Sequence, residues 1–137
     1  MAIESHVRAE DNLVVLTHVG KIGDDEFLAF YNRFFKSDTF KPPMNMLVDL
    51  RKADSSPRSA EVLRRFAEFL QAERPDITSH TKVAVVAPKD LSFGLARMYE
   101  ALSDSVPWNF VVFRAMDAAL AWIGLRKDTV NLETRDA

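Results

Sequence analysis

Two uninterrupted apolar runs, Met46-Leu-Val48 and Val83-Ala-Val-Val-Ala87, set the tightest limit on how this chain can fold. A strand with one wet face alternates apolar and polar residues, whereas a strand covered on both faces reads as continuous Val, Leu and Ala. Strands over 45–50 and 81–87 must therefore lie inside a sheet flanked by helices. Helical periodicity follows each of them, over 57–73 and 90–103. Strand–helix alternation of this kind builds parallel sheets through crossover connections. A further strand is expected at 110–114 and a last helix at 116–123, stopped by Gly124, a residue suited to the left-handed position after a helix.

Upstream the pattern changes. Ile3, Ser5, Val7 and Ala9 alternate with Glu4, His6 and Arg8, the period of a half-buried strand. Glu10, Asp11 and Asn12 supply a turn, and residues 13–19 return as a more deeply buried strand, which makes an antiparallel hairpin. Residues 20–23 turn the chain again, and Asp24 offers an N-cap for a helix that runs to Lys36, with Asp25 and Glu26 in its first turn. The expected class is α/β: a mixed five-stranded sheet, an N-terminal antiparallel hairpin then parallel crossovers, flanked by about four helices on its two sides. One domain is expected over 1–125, with 126–137 a loose polar tail.

Composition narrows the function classes. With no cysteine, a disulfide scaffold, a thiolate nucleophile and a thiolate metal cluster are all excluded. The four glycines, Gly20, Gly23, Gly94 and Gly124, are too scattered for a P-loop or a dinucleotide fingerprint. Eighteen basic against 20 acidic side chains leave no basic surface for a phosphate backbone, so nucleic acid is not an expected partner. The charged N-terminus lacks the apolar run of a secretory signal, and no stretch approaches the ~20 apolar residues that span a bilayer. The cytoplasm is the expected compartment.

Chemistry-bearing residues are sparse. His6 and His18 are expected to face each other across the hairpin surface, with no third ligand spaced to complete a metal site. No serine sits in a G-x-S-x-G elbow. No catalytic residue, metal or cofactor is therefore expected. Two features remain. In the loop after the third strand, Asp49, Asp54, Ser55 and Ser56 precede Pro57, which fits a first helical position with Ser56 as N-cap. The same geometry would suit a phosphate on Ser55 or Ser56, or a bound anion, and Lys89 in the next strand-to-helix loop opens on the same crevice. The second feature is aromatic: six of the fourteen aromatic residues fall between Phe27 and Phe40. Apolar side chains there cover about 160° of the helical wheel, wider than an ordinary stripe. Phe30, Phe34, Met98 and Tyr99 are candidate walls of an apolar ligand site. Phe40 and Phe93 are candidate anchors for a partner, since Leu91, Leu95, Met98, Tyr99 and Leu102 account for the core stripe of their helix and leave Phe93 on its far side.

In combination, several strings resemble the SpoIIAA-like group of bacterial proteins, relatives of the STAS domains. They are Leu47-Val-Asp-Leu-Arg51, Lys82-Val-Ala-Val-Val-Ala-Pro88, Phe93-Gly-Leu-Ala-Arg-Met-Tyr-Glu100, Val112-Phe-Arg114 and Asp117-Ala-Ala-Leu-Ala-Trp122. The likeness covers about four-fifths of the chain. It implies a STAS-like α/β fold that acts by binding and not as an enzyme. In anti-sigma factor antagonists of that group a kinase partner is bound, and phosphorylation of a serine after the third strand releases it. The matching residues here are Asp54, Ser55 and Ser56, with Pro57 where the pattern has a small, glycine-like neighbour. The resemblance implies a regulatory module that binds a protein partner around this loop, and a homodimer is compatible with it. Lipid-binding folds share the topology, so the alternative is a carrier or sensor of a small apolar or amphipathic ligand.

Overall fold

The N-terminal alternation forms β1 (Ala2–Arg8), antiparallel to β2 (Leu13–Lys21), in a computed structural model that describes residues 2–125. A 3-10 turn (Ala9–Asp11) joins them, and Asn12 closes it at φ 53°, a left-handed conformation that Asn tolerates better than most residues. The edge strand is wetter than its alternation suggests. Val7 is 43% exposed, and of β1 only Ile3 packs against the core. The tail expected over 126–137 lies outside the described residues.

The remaining elements alternate: α1 (Asp24–Lys36), β3 (Asn45–Asp54), α2 (Ala60–Glu73), β4 (Lys82–Val86), α3 (Asp90–Leu102), β5 (Asn109–Phe113) and α4 (Met116–Ile123). The five strands lie in chain order, and every pair after the hairpin is parallel. In such a sheet successive right-handed crossovers all pass over the same face. Accordingly α1, α2 and α3 pack side by side on one face, with the core of Val14, Leu16, Met46, Val83 and Val85 beneath them. On the other face α4 packs alone against β4 and β5, over Leu13, Val15, Leu47, Ala84 and Val86. The expected two-sided cover is present but split three to one. Gly124 ends α4 at φ 98°, the left-handed cap anticipated for it. No helix among the described residues is long and apolar enough to cross a membrane.

Three local expectations are corrected. β3 continues to Asp54 instead of stopping at Leu50, because an irregularity opposite Thr17 to Val19 lets Lys52, Ala53 and Asp54 go on pairing with Val19, Gly20 and Lys21. Ser56 is not the N-cap of α2. Ser55 to Arg58 form a turn closed by the Arg58 N–H on the Ser55 carbonyl (2.9 Å), and Ser59 is the cap, its hydroxyl accepting from the Val62 N–H at 3.1 Å. Asp24 is the first helical residue of α1, not its cap; its carboxylate accepts from Arg58 (2.8 Å) and from the Ser59 N–H (3.3 Å). That cross-link holds Ser59 extended and delays the start of α2.

The largest correction concerns α3. Leu91 and Met98 are 53% and 41% exposed, while Ser92, Ala96 and Tyr99 are buried. The helix thus turns Ser92 and Ala96 inward beside Tyr99, keeps Leu95 and Leu102 partly buried against the core, and leaves Leu91 and Met98 outward. Phe93 is half-buried against the core beneath the Arg114 guanidinium, 4.2 Å from its ring. In urea denaturation, Leu91→Ala is expected to change stability by no more than about 0.5 kcal/mol. Leu70→Ala, at a position with no exposed surface, is expected to cost about 2–5 kcal/mol. Similar losses for both would mean that the stripe of α3 faces inward.

Candidate functional site

The inward small residues of α3 leave space. Between the sheet and the three helices lies a cavity of about 100 Å³. Its floor is Met46, Val48 and Leu50 of β3, Val83 and Val85 of β4 and Phe110 of β5. Overhead are Phe27, Tyr31 and Phe35 of α1, Leu63 and Phe66 of α2, and Ser92, Leu95, Ala96 and Tyr99 of α3. The aromatic rings form a continuous chain: Tyr31 to Phe66 at 4.8 Å, Phe66 stacked on Tyr99 at 5.3 Å, Tyr99 to Phe110 at 5.4 Å and Phe110 to Trp108 at 5.9 Å. Such rings prefer offset and edge contacts over a face-to-face sandwich. Beside small Ser92 and Ala96, this array leaves a gap that a leucine would fill.

Polar groups line one end, where the carboxyl ends of β2 and β3 approach the first turn of α3. His18 of β2 is buried, and its Nε2 shares a 2.7 Å hydrogen bond with the Tyr31 hydroxyl. Burial, and secondarily the Arg58 cation, lower the His18 pKa to about 3, so the imidazole is neutral. Burial also pushes the Tyr31 and Tyr99 phenols up, and both stay protonated. Arg58 is the charged residue of the lining; it donates to Asp24 (2.8 Å) and to the Ile22 carbonyl (3.1 Å), with its guanidinium 4.0 Å from the centre of the Phe27 ring. Ser55 and Ser92 share a hydroxyl–hydroxyl bond of 2.8 Å that ties the loop after β3 to α3. Two lining residues carry deeply buried polar atoms: the Trp108 indole nitrogen has no hydrogen-bond partner among the described residues, and the Tyr99 hydroxyl has the Ser103 side chain as its hydrogen-bonding neighbour.

Of the residues singled out in the sequence, Ser55 and Tyr99 line this cavity. In the serine loop the Asp54 carboxylate accepts from the Ser56 N–H (3.0 Å), which holds it below the usual carboxylate range, and Lys89 donates to the Ala53 carbonyl (3.1 Å). Ser56 is exposed. Asp49 does not join them. It is buried in the middle of β3, with both oxygens accepting from the Arg51 guanidinium at 3.0 and 2.9 Å. Phe34 and Phe40, 5% and 1% exposed, belong to the core and present no partner surface. Arg74 pins that corner by donating to the Phe35 and Phe40 carbonyls (2.9 and 3.1 Å). Phe30 is half-buried against Tyr31 and Phe34, and Met98 lies on the outer side of α3.

His18 was missed as a site residue. The hairpin register sets Ile3 opposite His18 and Val15 opposite His6, so the two histidines lie on opposite faces and form no pair. The signal was present in the alternation, since His18 shares parity with Val14 and Leu16. Phe27, Phe66, Arg58 and Trp108 had no signal beyond ordinary core or loop character. Among the described residues no group of three or more His, Asp or Glu could hold a metal ion.

The depressed His18 pKa has a measurable consequence. Between pH 6.5 and about 3 the unfolded chain holds a proton at His18 that the folded chain does not. Stability therefore falls as pH drops below 6.5, and this one group removes about 2 kcal/mol by pH 5. Urea midpoints measured from pH 8 to pH 5 should decline less in His18→Gln than in the parent by that increment. Parallel declines would show that His18 is accessible to protons in the folded state.

No family model and no curated protein matches the chain. A solved structure of an uncharacterized DUF3478-family protein from Shewanella loihica PV-4, which has a SpoIIAA-like fold, does match. It aligns with a TM-score of 0.55 at 18% identity, over 89% of this chain and 92% of the other. At that identity the likeness is one of architecture: this chain has a SpoIIAA-like α/β fold.

Proposed function

We propose that the protein is a non-enzymatic binding module that holds a small, mainly apolar ligand between the sheet and α1 to α3. The cavity carries this reading. Its walls are aliphatic and aromatic with a few polar groups, the usual make-up of a small-molecule site. A void of about 100 Å³ in a packed core costs roughly 2 kcal/mol. One methyl-rich substitution in α3 would recover it, so an open site at Ala96 and Ser92 fits a role for the space itself. Native mass spectrometry of protein from its own host is expected to show extra mass that is lost on denaturation. Ala96→Leu should abolish the adduct while keeping or raising thermal stability. A bare mass in the parent protein would end this reading.

A second reading, a regulatory module with a protein partner at the loop after β3, has its own support. The exposed Leu91 and Met98 lie on the outer side of α3, and Ser55 joins the exposed Ser56 to the first turn of the same helix. A partner recovered with the chain is expected to be lost on Ser56→Glu and on Leu91→Asp. An interaction indifferent to both would remove this surface.

A further inference from the structure

The sheet ends in an open edge at β1, and the residues of that edge are complementary to themselves. Among the described residues β1 pairs with β2 alone, so its outer side carries unpaired backbone N–H and C=O groups. Edge strands are commonly protected by lysine, proline or a bulge. Over Ala2–Arg8 there is no lysine and no proline, and all seven residues keep one register with β2. Ala2, Glu4, Ser5, His6 and Val7 are exposed. We infer that this edge pairs antiparallel with the β1 edge of a second copy of the chain, about a two-fold axis at Ser5, to make one continuous sheet of both copies.

Symmetry limits the registers. A two-fold axis normal to the sheet keeps every side chain on its own face, so only residues of like parity can stand opposite each other. Centred on Glu4, the edge would oppose two glutamates, and like charges directly opposite are destabilising. Centred on His6, Glu4 would face Arg8, whose guanidinium is already engaged by Glu10 (3.4 Å) and Asp11 (2.9 Å). Only the Ser5 centre pairs the whole strand. Glu4 of each copy then faces His6 of the other, a charge-complementary pair, and Ile3 of each faces Val7 of the other. Across the hairpin Ile3, Ser5 and Val7 lie opposite His18, Leu16 and Val14, on the face covered by α1 to α3. The Ile3–Val7 contacts would therefore extend that apolar layer and cover Val7, which is otherwise 43% exposed.

Seven residues a side is fewer than the roughly 20–30 of a standard interface, so the dimer is expected to be weak. Sedimentation velocity of the full chain up to about 500 µM should show monomer giving way to dimer, with a Kd in the micromolar range. The chain has no cysteine, so Ser5→Cys introduces a single thiol. Opposed residues stand about 4.5–5.5 Å apart, within disulfide reach. Two Val7→Cys thiols would lie about 13 Å apart in this register. Under mild oxidation Ser5→Cys is expected to form a linked dimer at least about tenfold faster than Val7→Cys. Glu4→Lys and His6→Glu, at exposed positions, should each weaken the dimer about fivefold, and the double exchange should restore it. A monomer over the whole range would overturn the inference and leave the edge to a strand of another protein. A dimer that links Val7→Cys as readily as Ser5→Cys, or that the double exchange fails to restore, would overturn it too: the copies would meet elsewhere, as at the β5 edge. None of these outcomes bears on the cavity, whose guest is tested by its mass.

Discussion

A parallel sheet whose strands lie in chain order has no freedom in where it puts its crossover helices. Right-handed connections carry α1, α2 and α3 over one face, and the layer between them and the sheet must be filled almost entirely from those three helices. α1 and α2 supply bulk through Phe27, Tyr31, Phe35, Leu63 and Phe66. α3 has the leucines to complete the layer but directs Leu91 to solvent and Ser92 and Ala96 inward. The cavity follows from that one orientation. A helix rotated to bury Leu91 and Met98 would close the space and remove an exposed apolar ridge at once, so the observed rotation forgoes two ordinary gains in stability. A conflict of this kind between local pattern and burial is what a functional site leaves in a sequence otherwise consistent with its fold.

The polar end of the cavity is held by electrostatics more than by packing. Arg58 lies in the segment between β3 and α2, yet its contacts are with Asp24, Ile22 and Phe27 at the start of α1. It therefore joins two consecutive crossovers at their carboxyl-end loops. Its charge reaches His18 and, with burial, keeps that imidazole neutral. A neutral His18 paired with a protonated Tyr31 leaves the interior without net charge, while the cation stays at the margin beside its carboxylate. The site is thus dipolar in its depth and ionic where Arg58 meets Asp24.

Much of the architecture was legible in the sequence because it rests on periodicity. Continuous apolar runs at Leu47 and Val85 fixed which strands are doubly covered, and alternation around His6 identified the hairpin. The resemblance to SpoIIAA-like proteins agreed with both. Less legible were the features that depend on a third element. The end of β3 required knowing that Lys52 and Asp54 would find partners on β2. The N-cap of α2 turned on Asp24, thirty-five residues upstream of Ser59. The rotation of α3 could not be read at all, since its leucine stripe and its small-residue stripe are both periodic and only the depth of the layer chooses between them. For the same reason Phe34 looked like a ligand-site wall and Phe40 like a partner anchor, although Arg74 and Phe35 enclose them in the core.

The ligand and partner readings share one piece of chain. Ser55 lines the cavity and bonds to Ser92 on the first turn of α3, while the next residue, Ser56, is exposed and holds the Asp54 carboxylate through its backbone N–H. A guest that displaced the Ser55 hydroxyl would break the tie between this loop and α3, and Ser56 would move with it. A modification or contact at Ser56 would strain the same bond from outside. Occupancy inside and recognition outside would then be linked reciprocally, each changing the other by the same factor. The link that faces the cavity is one hydroxyl–hydroxyl bond, worth about 1 kcal/mol, beside the Lys89 bond to the Ala53 carbonyl. That is small enough for a ligand of modest affinity to bias, and large enough to hold the loop in place without one.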